Sequence, residues 1–180
     1  MFDNDYTLNG KHATQFKFLI AKNTKDNTSN AGIFKRYIDV YMNAAVFGLI
    51  YSRRAVCDTD SEDRTQIAAE TFMGERRNCM FLYRLVMLLD KSTELSDEER
   101  IDRAFRYDSN PDKSEELKKN LELFNSYVLG GIEVMYEQFT DGCHAREDYM
   151  NRIYELMTNF KNELEGKPID DELSRLINHG

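Results

Sequence analysis

With 180 residues, 41% of them apolar, and 11 Phe and 10 Tyr, the chain can bury about two thirds of the surface its unfolded form exposes, which excludes wholesale disorder. Only 2 Pro and 9 Gly argue against a turn-rich all-β fold and for long helices. The net charge of −8 argues against non-specific coating of DNA, because counterion release needs clustered Lys and Arg.

The charge is uneven. Residues 1–57 hold 8 basic and 4 acidic side chains, whereas the remainder holds 16 and 28. Attraction between these two parts inside one fold is the simpler reading; a basic N-terminal face for an anionic partner is the alternative.

In chain order, residues 1–30 read as a less ordered start with a short helix and a loop. Phe16, Leu19 and Ile20 line one face of a helix over 11–22, and the polar stretch 23–30 is a loop. No basic start followed by an apolar run is present, so no signal peptide is expected. From Ala31 to Arg54 comes a stronger helix, with Lys35, Arg36, Asp39 and Asn43 on its polar side before it turns apolar all round. Ala44 and Gly48, one turn apart, would let a neighbouring helix come close. The apolar run Ala44–Tyr51 is far shorter than the roughly 20 residues that cross a bilayer.

An acidic connection follows Cys57, then a long helical pattern from Arg64 to Asp90 that Gly74 bends or divides. Ser96 and Glu99 have the spacing of a capping box and start a helix through Phe105. Residues 107–114 break the chain again. Two long helices come next, the first lined by Leu117, Leu121, Phe124, Val128, Ile132, Met135 and Phe139, the second by Met150, Ile153, Met157, Phe160 and Leu164. The short link between them implies an antiparallel hairpin. Gly130-Gly131 within the first implies a close backbone contact or a kink. Gly166 and Pro168 stop the second, and a small terminal helix is expected in 167–180. The expected fold is all-α: a single-domain helical bundle over 1–180, of about five to seven helices, with its helical core in 31–166 and a C-terminal antiparallel helical hairpin.

Motifs for chemistry are missing from this pattern. Cys57, Cys79 and Cys143 are odd in number and lack CxxC spacing, which points to a reducing cytoplasm over a disulfide framework or a zinc site. His12, His144 and His179 have no Glu-x-x-His partner for a diiron bundle. The stretch from Asp58 starts like a calcium loop but has Asp63 where Gly and Ala69 where Glu are required. Pro111, Asp112, Glu116 and Lys118 would need a β-hairpin scaffold to act as a nuclease site. Neither a nucleophile elbow nor a phosphate-binding glycine loop occurs. No catalytic residue, metal or cofactor is therefore expected.

The segment Phe81–Leu89 sets Arg84 among apolar residues. Arg77, Arg84 and Lys91 recur every seven residues, beside Met73, Met80 and Met87, so a basic stripe borders a methionine stripe. Met80, Phe81, Met87 and Leu88 flank Arg84 at helical spacing, leaving it no carboxylate on its own helix. Water, a carboxylate of another helix such as Asp39 or Glu133, or a partner protein could satisfy it, and the buried pair is the preferred expectation.

Long apolar faces without catalytic motifs point to a non-enzymatic cytoplasmic interaction protein, either self-associating or an accessory subunit of a larger complex. The rival is a nucleic-acid-associated subunit contacting phosphates through Lys35, Arg36, Arg53, Arg54, Arg76 and Arg77. An enzyme whose site is assembled from scattered residues comes third.

Overall fold

The computed structural model describes residues 1–21, 32–58, 61–143 and 146–165. The order is β1 (Tyr6–Asn9), α1 (Gly10–Leu19), α2 (Tyr37–Ile50), β2 (Arg64–Ile67), α3 (Ala69–Gly74), α4 (Arg76–Leu89) and α5 (Asp97–Phe105). Two 3₁₀ turns (Tyr107–Ser109 and Pro111–Lys113) then lead into α6 (Ser114–Thr140) and α7 (Arg146–Glu165). The chain forms two units, Met1–Gln138 and Phe139–Gly180. The loop expected at 23–30, His144 and His179, the helix stop at Gly166 and Pro168, and the terminal helix lie outside the described residues.

The protein is mostly helical, and the all-α expectation needs a correction. β1 and β2 pair antiparallel, Tyr6 opposite Ile67 and Asn9 opposite Arg64. Residues 64–67 are thus a strand where a helix is expected. Their physics is that of a half-buried strand: Thr65 and Ile67 are buried, Arg64 and Gln66 exposed, with β-branched side chains on the inner face. Asp5 fixes the end of the pair, its carboxylate accepting from the Gln66 amide side chain and, at 2.7 Å, from the Ala69 backbone N–H that opens α3.

The first 21 residues are part of the core instead of a loose start. Leu8, His12, Phe16 and Leu19 are fully buried, and α1 packs on both strands. Around them Tyr41 meets Phe72 edge-on at 5.1 Å and Phe124 at 6.0 Å, and its hydroxyl donates to Asn125 Oδ1 at 2.9 Å.

α6 buries Phe124, Val128, Ile132 and Met135 along one line, with Leu117 and Leu121 half-buried. Gly131 of α6 and Gly48 of α2 explain how close the two helices come. A methyl group on Gly131 would lie 1.8 Å from the Ala44 carbonyl oxygen, and one on Gly48 would lie 2.0 Å from that of Tyr127. The helices meet backbone to backbone, a contact that any side chain at these positions would break.

α5 begins as its sequence implies. Glu99 N–H donates to Ser96 Oγ at 3.3 Å, and Ser96 N–H donates back to the Glu99 carboxylate at 2.8 Å. In the second unit α7 leaves Met150, Met157 and Phe160 exposed. No helix of the described residues is long and apolar enough to cross a membrane.

Candidate interaction surface

The long pattern from Arg64 to Asp90 is divided beside Gly74: Glu75, with φ −110° and ψ 16°, ends α3 and precedes α4. Met73 therefore lies on α3, and the methionine stripe on α4 is reduced to half-buried Met80 and fully buried Met87. Arg77 is exposed on α4 and Lys91 lies just beyond its end. The inner face of α4 consists of Cys79, Tyr83, Val86 and Met87.

The outer face of α4 is also apolar. Phe81 is 64% exposed and Leu89 is exposed, with Leu85 and Leu88 half-buried between them. α5 packs beside α4 and adds Ile101 and Phe105, both exposed. Arg84 stands at the border between the two helices. Its guanidinium lies 5.3 Å from the centre of the Phe105 ring, donates from Nη2 to Asp108 Oδ2 at 3.1 Å, and leaves its side chain 37% exposed. Its Nε is buried without an acceptor among the described residues.

Neither of the acids first considered for Arg84 is its partner. Asp39 accepts from Arg36, Nε to Oδ2 at 3.0 Å. Glu133 is enclosed elsewhere, accepting from Lys11 at 2.7 Å, from His12 Nε2–H at 3.0 Å and from Arg53 at 2.9 Å. Burial pushes the Glu133 carboxyl up, but the bonds from Lys11 and His12 outweigh it and hold the group below the usual carboxylate range. Burial also pushes the His12 imidazole down against the opposing pull of Glu133, which favours its neutral form. This cluster fastens α1 to α6 and to the chain after α2, a structural role that local spacing around His12 did not disclose. The one hint was that His12, Phe16 and Leu19 share an apolar helix face.

A second closed cluster finishes α4 on its inner side. Arg103 is 4% exposed; it donates to the Met87 carbonyl at 3.1 Å and to Asp90 Oδ2 at 3.2 Å. Asp90 also accepts from the Tyr127 hydroxyl at 2.6 Å and from Ser92 N–H at 3.0 Å, while Arg100 caps the Asp90 carbonyl. The Met87 carbonyl in the last turn of α4 and the Asp90 carbonyl just beyond it thus find side-chain donors.

A cavity of about 380 Å³ beside this cluster is lined by Arg103, Glu99, Glu116 and neighbours. Arg103, Glu99 and Glu116 already have partners within the chain, Glu116 accepting from Lys113 at 2.9 Å, and Lys119 also lines the cavity.

The arginines of the nucleic-acid alternative are scattered and mostly engaged. Arg36 also reaches Glu75 at 2.7 Å, Arg53 joins Glu137 as well as Glu133, and Arg54 donates to Ser92 Oγ at 3.0 Å and lies over the Tyr127 ring. Arg76 is 3.7 Å from Asp3, and Lys35 is exposed. Among the described residues no three of His, Cys, Asp and Glu come together as metal ligands. In comparisons with protein families, with curated proteins and with solved structures, the chain finds no match.

Proposed function

We propose that this chain is a non-enzymatic helical interaction protein, acting by self-association or as an accessory subunit, with the outer face of α4 and the adjoining side of α5 as its contact surface. The observation that carries this reading is a helix apolar on both sides: α4 fills the core with one face and presents Phe81, Leu85, Leu88 and Leu89 outward. Arg84 at the border suits the mixture of aromatic, aliphatic and arginine side chains that interfaces favour.

A cytoplasmic setting belongs to the reading, since Cys57, Cys79 and Cys143 are free thiols. The nucleic-acid reading is weaker because Arg36 and Arg53 give their guanidinium groups to carboxylates of this chain.

Capture from the native cell tests the proposal. Wild-type protein should retain a defined set of partners, including itself, and Phe81→Asp should lose them while keeping its helical spectrum. Equal capture by both forms would overturn the reading.

A further inference from the structure

His12 has no exposed surface, and its two ring nitrogens have unequal surroundings. Nε2 lies 3.0 Å from Glu133 Oε1. An ionised carboxylate can only accept, so Nε2 carries the hydrogen of the neutral ring and Nδ1 is left bare. Nδ1 is buried and has no hydrogen-bond partner among the described residues. A proton arriving there would turn it into an N–H donor with nothing to receive it, inside the core.

Nor does a spare negative charge await that proton. Glu133, on α6, already accepts from Lys11 at 2.7 Å and from Arg53 at 2.9 Å, and Glu137, one turn on, is engaged by Arg53. Asp63, ahead of β2, is held by Thr14 and Lys17 of α1. Glu133 and Asp58 pull the ring toward its charged form, Lys11 pushes against it, and burial outweighs them all, holding the imidazole below its ordinary 6.5.

We infer that His12 is an acid-operated latch between α1 and α6, protonation of the ring being coupled to separation of the two helices. The closed molecule keeps the ring neutral, whereas an opened one offers water an ordinary imidazole, so protons bind the open form in preference. The fastening that must part lies at the edge of the core: of the cations on Glu133, Lys11 is exposed and Arg53 partly so. The effect has a defined window. Above about pH 6.5 the latch is fully closed, and below it the opened fraction grows about tenfold per pH unit until the closed form itself takes up the proton. Glu133 stays ionised through the upper part of that window, since its bonds hold it below the usual carboxylate range. α4 and α5 contain no histidine, and the Asp90 carboxyl that closes them, at about 2, does not titrate there.

Two measurements on the full chain test the latch. In an NMR titration the assigned His12 ring should be the neutral Nε2–H form at neutral pH and should titrate below 6.5. In hydrogen exchange followed from about pH 7.5 to about pH 5, and corrected for intrinsic rates, the amides of α1 should lose protection about tenfold per pH unit below 6.5 while those of α4 and α5 keep theirs. His12→Gln, whose side-chain amide can still donate to Glu133 but cannot titrate, should abolish the response of α1, with circular dichroism confirming its fold. A ring that titrates at or above 6.5, protection lost in parallel along the whole chain, or the same acid response in folded His12→Gln would overturn the latch. Should His12→Gln not fold, the ring titration and the comparison of α1 with α4 in the wild type decide the matter.

Discussion

Two arginines face the joint between α4 and α5, and they are served very differently. Arg103, on α5, reaches inward to the Met87 carbonyl and Asp90 and is nearly inaccessible. Arg84, on α4, turns to the outer edge, where it has a single hydrogen-bonded carboxylate, Asp108, and the face of Phe105. The joint is thus closed on its inner side, where each buried charge has an opposite charge and further hydrogen bonds, and left open at its outer rim. Buried charges must be satisfied within the fold because desolvation is severe. A rim charge is under no such constraint and is free to serve a contact.

The sharpest way to break this contrast is Arg103→Met. Removing the guanidinium leaves Asp90 buried beside an unfilled Met87 carbonyl, and the expected loss is about 3–5 kcal/mol. Urea unfolding would measure it. A loss below about 1 kcal/mol, the range of exposed pairs, would show that the inner cluster is no tighter than the rim.

A change of pH probes the same cluster from the acid side. Burial pushes the Asp90 carboxyl up, but hydrogen bonds from Ser92, Tyr127 and Arg103 outweigh it and hold it at about 2, below its ordinary 3.8. A carboxyl with a depressed folded value contributes stability that is complete above about pH 4 and is lost as the pH falls from there toward 2. The size of the loss is about 2 kcal/mol. Stability measured across that window in wild type and Asp90→Asn should differ in slope, with the variant flatter; parallel slopes would place the acid sensitivity elsewhere.

How much of this was readable beforehand depended on distance along the chain. The Ser96–Glu99 cap, the buried line Phe124–Val128–Ile132–Met135 and the small-residue contact of Ala44 and Gly48 are periodic or local features, and periodicity survives in sequence. The strands did not, because four residues of alternation in Arg64–Ile67 are too few to stand out beside a helical pattern that follows directly. Nor did the partners of the charges. Asp108 is 24 positions from Arg84 in a stretch that reads only as a chain break, and Glu133 is 121 positions from His12. Which acid answers which base is decided by tertiary packing, so the oddity of Arg84 was visible while its resolution was not.

The smallest expected effect is the one that tests the rim. Arg84→Met keeps an unbranched apolar stem against Phe105 and frees Asp108, which is only partly buried and can turn to water. What is lost is a half-exposed ion pair and a cation–ring contact, each worth roughly 0.5–1 kcal/mol at such sites, and part of that is regained because the buried Nε no longer lacks an acceptor. The free protein should therefore lose no more than about 1 kcal/mol in urea unfolding. A loss of about 3 kcal/mol or more, the signature of a broken buried pair, would show that Arg84 is as enclosed as Arg103 and would remove the physical ground for treating the outer face of α4 as a contact surface.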